Sequence, residues 1–150
     1  MSKVKPAQVH YYLDADILGL ARVLAGLRSD VTFPGDRGMV VNKRRRSPCP
    51  ITDVATKDSV WIPQVTQRGW LIITRDRHVK DHRREIGAVV EHGARMVVLS
   101  GTAARTTWEQ LEIVMGQWRR IEQCRNESGP FIYLATRTQL KQVELKSSQG

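Results

Sequence analysis

Cysteine is nearly missing from this chain. Cys49 and Cys124 stand alone, with no CxxC pair and no cysteine–histidine ladder. Neither a disulfide scaffold nor a zinc site can be built from them, so they read as reduced structural thiols. Long apolar runs are missing too: Phe131–Ala135 is typical, where a membrane helix needs about 20 residues. Met1-Ser2-Lys3-Val4-Lys5 leads into no signal-peptide core, so a cytoplasmic protein without a membrane partner is expected. Acid is scarce: 15 Asp and Glu face 24 Lys and Arg, giving a net charge of +9 and a pI near 10.2. A small domain this basic points to a polyanion, and nucleic acid is the commonest. Glutamate is wholly absent before Glu85, and aspartate after Asp81.

What is present is organised around Trp70-Leu71-Ile72-Ile73-Thr74-Arg75-Asp76. Four apolar residues between the breaker Gly69 and a polar triplet predict a short strand buried on both faces, as in parallel sheets covered by helices. Val9-His10-Tyr11-Tyr12-Leu13 reads the same way, and Val31-Thr32-Phe33, Arg95–Leu99 and Phe131–Leu134 supply further strands. Helical periodicity falls between them. Ile17, Leu20, Ala21, Leu24 and Leu27 share one face, with Asp14 or Asp16 as cap. Ile86, Val89 and Val90 turn inward on a helix over 80–92 that Gly93 stops. Thr107-x-x-Gln110 opens a long helix whose stripe of Trp108, Leu111, Met115, Trp118 and Ile121 is expected in the core, and also offers a dimer contact.

Residues 53–68 are expected to be mostly helical, with a break near Ile62-Pro63. Residues 34–52, punctuated by Gly35, Gly38, Pro48 and Pro50, are expected to be loop. Strands alternating with helices give one domain over residues 1–150: a three-layer α/β/α sandwich around a mostly parallel sheet. Its core spans roughly 9–136, with residues 1–8 and 145–150 frayed.

In such sheets ligands bind beyond the carboxyl ends of the strands. Asp14, Asp36 and Asp76 follow three successive strands, and Asp58 lies on the helical stretch leading into the third. Clustered carboxylates repel, and a divalent cation keeps them ionised together. Their hard oxygens select Mg2+ or Mn2+. On a basic protein that chemistry predicts phosphodiester hydrolysis, with the same four aspartates as metal ligands and catalytic groups. Lys43-Arg44-Arg45-Arg46, the densest charge run, is either a solvated loop or a grip on substrate phosphates, and Arg75 is a further phosphate contact.

These residues resemble the PIN-domain nucleases. Tyr12-Leu13-Asp14 is similar to their opening strand. Asp58, a helical stretch, Gly69, a strand and Thr74-Arg75-Asp76 are similar to their third and fourth acidic positions, in the manner of VapC-type toxins. The resemblance covers roughly residues 9–100. It implies a PIN-like fold, RNA as substrate, Mg2+ or Mn2+ as cofactor, homodimers and, for a toxin, a cognate antitoxin. The family's second acid is often a glutamate on a helix, and no glutamate occurs here before Glu85; Asp36 stands in for it, with Asp53 or Asp16 as substitutes.

Two other readings compete. Asp14-Ala15-Asp16-Ile17 is close to the DxDx[TV] signature of haloacid-dehalogenase-type phosphatases, in which Asp14 would be the nucleophile. That class wants a late magnesium-binding acid, and no aspartate follows Asp81. The other is a PIN-like module that binds RNA or a partner without catalysis. His78 and His82, at i and i+4, are two metal-type ligands without a third.

Overall fold

The computed structural model describes residues 3–75 and 82–145, with backbone alone at 82–85. Its elements run β1 (Lys5–Pro6), β2 (Tyr11–Leu13), a 3-10 turn (Ala15–Ile17), α1 (Leu18–Leu27), β3 (Val31–Thr32), β4 (Met39–Val41) and β5 (Arg44–Arg46). They continue with α2 (Asp58–Gln67), β6 (Leu71–Arg75), α3 (His82–His92), β7 (Arg95–Leu99), α4 (Thr107–Cys124), β8 (Phe131–Ala135) and β9 (Leu140–Val143).

Among the described residues, the main sheet has the order β3-β2-β6-β7-β8-β9. Neighbours from β3 to β8 are parallel, and β9 closes the edge antiparallel to β8. Side chains alternate across it. Tyr11, Leu13, Leu71, Ile73, Val97 and Leu99 join the core with α1 and α4, while Tyr12, Ile72, Met96 and Val98 join that with α2 and α3. Burial on both faces is why these strands read as unbroken apolar runs. The three-layer α/β/α expectation holds. Among the described residues, no helix is long and apolar enough to cross a membrane.

Several elements depart from the sequence reading. Residues 34–52 are not plain loop: β4 and β5 form a hairpin in which Val41 faces Arg44, so its turn is Asn42-Lys43. Both turn residues have positive φ, at 50° and 62°, the backbone of a tight two-residue hairpin. Lys5–Pro6, expected to fray, pairs with β5 in a second sheet of order β1-β5-β4. The helix around Pro63 runs unbroken from Asp58 to Gln67. Proline there removes only the bond to the Ser59 carbonyl, and Ser59 is exposed to water.

The stripe expected for α4 holds in part: Ile121 is buried and Leu111 and Trp118 pack against the core, but its other two members face water. Trp108 and Met115 are 70% and 68% exposed, and Leu27 of α1 is 63% exposed. The buried face is Gln110, Ile113, Val114, Gln117, Ile121 and Cys124. Two glutamines hid it from a hydrophobic tally. Their amides are satisfied locally, Gln110 donating to the Ala104 carbonyl and Gln117 to that of Thr136, each at 3.1 Å.

Candidate metal centre

The chain order of the sheet reverses between β2 and β6, and the crevice past their carboxyl ends is where such folds bind ligands. Asp14 stands at the end of β2, its N–H donating to the Ile73 carbonyl of β6 at 3.0 Å. One of its oxygens accepts from the Ala15 N–H at 2.6 Å, capping the 3-10 turn. That turn carries Asp16 back over β6. Buried Thr74 places its hydroxyl 3.1 Å from Asp14 Oδ2 and 3.3 and 3.2 Å from the two oxygens of Asp16. The Arg75 N–H donates to Asp16 Oδ2 at 3.2 Å. A hydroxyl carries one proton, so Thr74 cannot serve both carboxylates at once.

Asp58 comes to the same place from α2. With Asp14, Ala15, Lys57, Trp61 and Ala88 it lines a cleft of about 550 Å³. Its Oδ1 accepts from the Trp61 indole N–H at 2.9 Å. Trp61 is buried and stacks on Tyr12, ring centroids 5.0 Å apart. The Tyr12 hydroxyl is pushed well above its ordinary pKa, first by burial and then by nearby negative groups that include Asp14, Asp58 and Asp16. One phenol therefore feels all three carboxylates.

The other expected site residues lie elsewhere. Asp36 is buried and paired with Arg46. Arg46 donates from Nε to its Oδ2 at 2.6 Å and from Nη2 to its Oδ1 at 3.3 Å. Thr32 Oγ1 adds a bond at 2.8 Å and the Gly38 N–H one at 2.9 Å. Gly38 has φ of +80°, and a Cβ there would meet the Arg46 carbonyl oxygen at 2.3 Å, so only glycine closes this turn. Arg46 also donates to the Ala25 and Arg28 carbonyls. The pair is interior structure: Asp36 is turned to Arg46 instead of joining Asp14, and Arg46 is closed to a substrate.

Lys43, Arg44 and Arg45 are exposed, but the hairpin tip packs against the end of α1, where Asn42 donates to the Leu27 carbonyl at 3.5 Å. That is the amino edge of the sheet, opposite Asp14. Asp53 accepts from the Ala55 N–H within its own turn. Arg75 turns to the Gly101 carbonyl, 3.3 Å away. Asp76 and His78 lie outside the described residues, as does the His82 side chain.

Among the described residues, no group of three or more His, Cys, Asp or Glu is disposed to hold a metal ion. The donors that do converge are carboxylate and hydroxyl oxygens, a set that suits Mg2+ or Mn2+ over zinc or copper. Sequence reasoning ranked Asp16 only as a substitute, did not place Thr74 as the partner of these carboxylates, and gave no role to Trp61. The signal for Trp61 was its spacing, i+3 from Asp58 on one helix face. For Asp16 it was the cap at Asp14, which tightens the next residues into a turn.

A family model described as "PIN like domain" matches residues 10–101. Searches of curated proteins and of solved structures gave no match.

Proposed function

The chain belongs to the PIN-like domain family, and from that premise we propose that it is a metal-dependent endoribonuclease cleaving RNA phosphodiester bonds. The observation that carries this reading is the convergence of Asp14 and Asp16 on the single Thr74 hydroxyl at the switch point of the sheet, where Asp14 and Asp58 line one cleft. Asp14, Asp16 and Asp58, with Asp76 next in sequence after β6, would hold Mg2+ or Mn2+. When bound, such an ion supplies an activated water and offsets charge developing on the phosphate. The protein's part is to hold its carboxylates still. Thr74 and the Arg75 N–H fix Asp16, the Ala15 N–H fixes Asp14, and the Trp61 indole fixes Asp58. In the finer form of this reading the nuclease is a VapC-like toxin restrained by an antitoxin, as the resemblance implies.

The test is cleavage of single-stranded RNA by purified protein with Mn2+, with EDTA and as Asp14→Asn. Turnover that stops with EDTA and with the substitution supports the proposal; turnover that survives both overturns it. For the toxin form, expression should arrest growth of a host cell and Asp14→Asn should relieve the arrest. The second reading is a PIN-like binding module without catalysis. It is favoured by the absence, among the described residues, of a three-ligand group. RNA binding with no cleavage in Mn2+ would select it.

A further inference from the structure

The amino edge of the main sheet carries the opposite charge from its carboxyl edge. Four of the five parallel strands begin beside an arginine: Arg28 before β3, Arg68 before β6, Arg95 at the start of β7 and Arg125 before β8. His10 precedes β2, and the hairpin adds exposed Lys43 and Arg44. At strand spacing this row crosses about 19 Å. His10 and Asp14, at opposite ends of β2, are separated by about 13 Å of extended chain, so the row is distinct from the carboxylate cleft.

Among the described residues, little of this charge is cancelled. Asp30 takes Arg28, at 2.9 Å, and Glu122 lies 4.0 Å from the same arginine. Arg95 donates to the carbonyls of Arg125 and Gly69, which are neutral acceptors and leave its charge intact. The crowding shows in two groups. Arg95 is pushed below its ordinary pKa by burial and then by Arg125, and His10 is lowered by burial and then by Arg125, with Asp30 opposing and Arg28 adding to the fall. A groove of about 540 Å³ opens here, lined by Gln8, His10, Arg28, Asp30, Asn42 and Arg44 among others. Its wall is mostly polar, with Pro6 and Leu27 its apolar members, and its cations and amides suit phosphate oxygens.

We propose that this edge is a second RNA-binding surface, remote from the cleft, which holds the phosphate backbone through Arg44 in the groove, Lys43 next to it on the hairpin and Arg68 before β6 on the same edge. It does not depend on catalysis. The test is fluorescence anisotropy of a labelled single-stranded RNA 20-mer in EDTA, over a series of salt concentrations, for the native chain and for Lys43→Glu/Arg44→Glu. These are exposed hairpin residues, and melting curves check that the fold persists. Affinity should fall about five- to tenfold, and the slope of log K against log salt should flatten by about 1.4, for two single-strand phosphate contacts. Arg68→Glu, on another element, should weaken binding in the same sense. Unchanged affinity and slope in both variants overturn the proposal. So does competition by polyglutamate as effective as by unlabelled RNA, which would assign the edge to an acidic protein. Cleavage plays no part in EDTA, so a chain without nuclease activity can still pass this test, and an active nuclease can fail it.

Discussion

Two aspartate–threonine pairs sit along the carboxyl edge of one sheet and have opposite fates. Thr32 closes β3 and donates to Asp36; Thr74, near the end of β6, faces Asp14. Asp14 and Asp36 are both buried, at 3% and 6% exposure. What differs is the third party. Asp36 meets the guanidinium of Arg46, whose planar fork answers both carboxylate oxygens. Asp14 meets another carboxylate, Asp16, across one hydroxyl. A buried acid met by a buried arginine is part of the scaffold. A buried acid beside a second acid, at the switch point of the sheet, is where we propose that a cation binds.

The comparison breaks most sharply at Arg46. Arg46→Met would leave the Asp36 carboxylate buried without its cation and should cost about 3–5 kcal/mol in urea unfolding. Adding Asp36→Asn should restore much of it; a cost under about 1 kcal/mol for the single change would mean the pair is not interior. Asp14→Asn should do the reverse. It should lower RNA cleavage by about a hundredfold or more, the scale of losing a charge-stabilising group, with apo stability unchanged or raised because one of two facing charges is gone. Loss of both stability and activity would place Asp14 with Asp36. Mn2+ sharpens the contrast further. At a hundredfold excess over its Kd it should stabilise the native chain by about 2.7 kcal/mol, read as a higher melting temperature than sodium gives at matched ionic strength, and Asp14→Asn should abolish that rise. The threonines give the smallest effect. Thr32→Val should cost about 1.5–3 kcal/mol, a buried hydrogen bond to a charged partner. Thr74→Val should cost about 1 kcal/mol, because backbone N–H groups still serve Asp14 and Asp16. Equal costs would erase the distinction.

Much of the architecture was legible because burial on both faces leaves a plain mark. Leu71–Ile73 and Met96–Leu99 are apolar without interruption, and the breakers Gly69 and Gly93 stand before them with positive φ. The hairpin was not legible because its second strand is Arg44–Arg46, a run that reads as solvated charge. Its first two arginines are exposed and only Arg46 points inward, and no one-residue pattern announces which arginine in a row is buried. Asp36 followed the same logic as Asp14, since position after a strand fixes which edge a residue reaches and not what it meets there. That meeting depends on contacts ten residues away for Arg46 and sixty for Thr74, beyond any local periodicity.

The stacking of Trp61 on Tyr12 also gives the cleft its own optical reporter. Trp61 is 3% exposed with its indole N–H on Asp58, whereas Trp108 is 70% exposed on the far helical layer. Iodide reaches an exposed indole before a buried one, so quenching should silence Trp108 first, the half-buried Trp70 and Trp118 next and Trp61 last. A cation arriving at Asp58 would draw charge from the oxygen that this indole touches, and the remaining fluorescence would shift. Occupancy of the cleft could then be followed without a label.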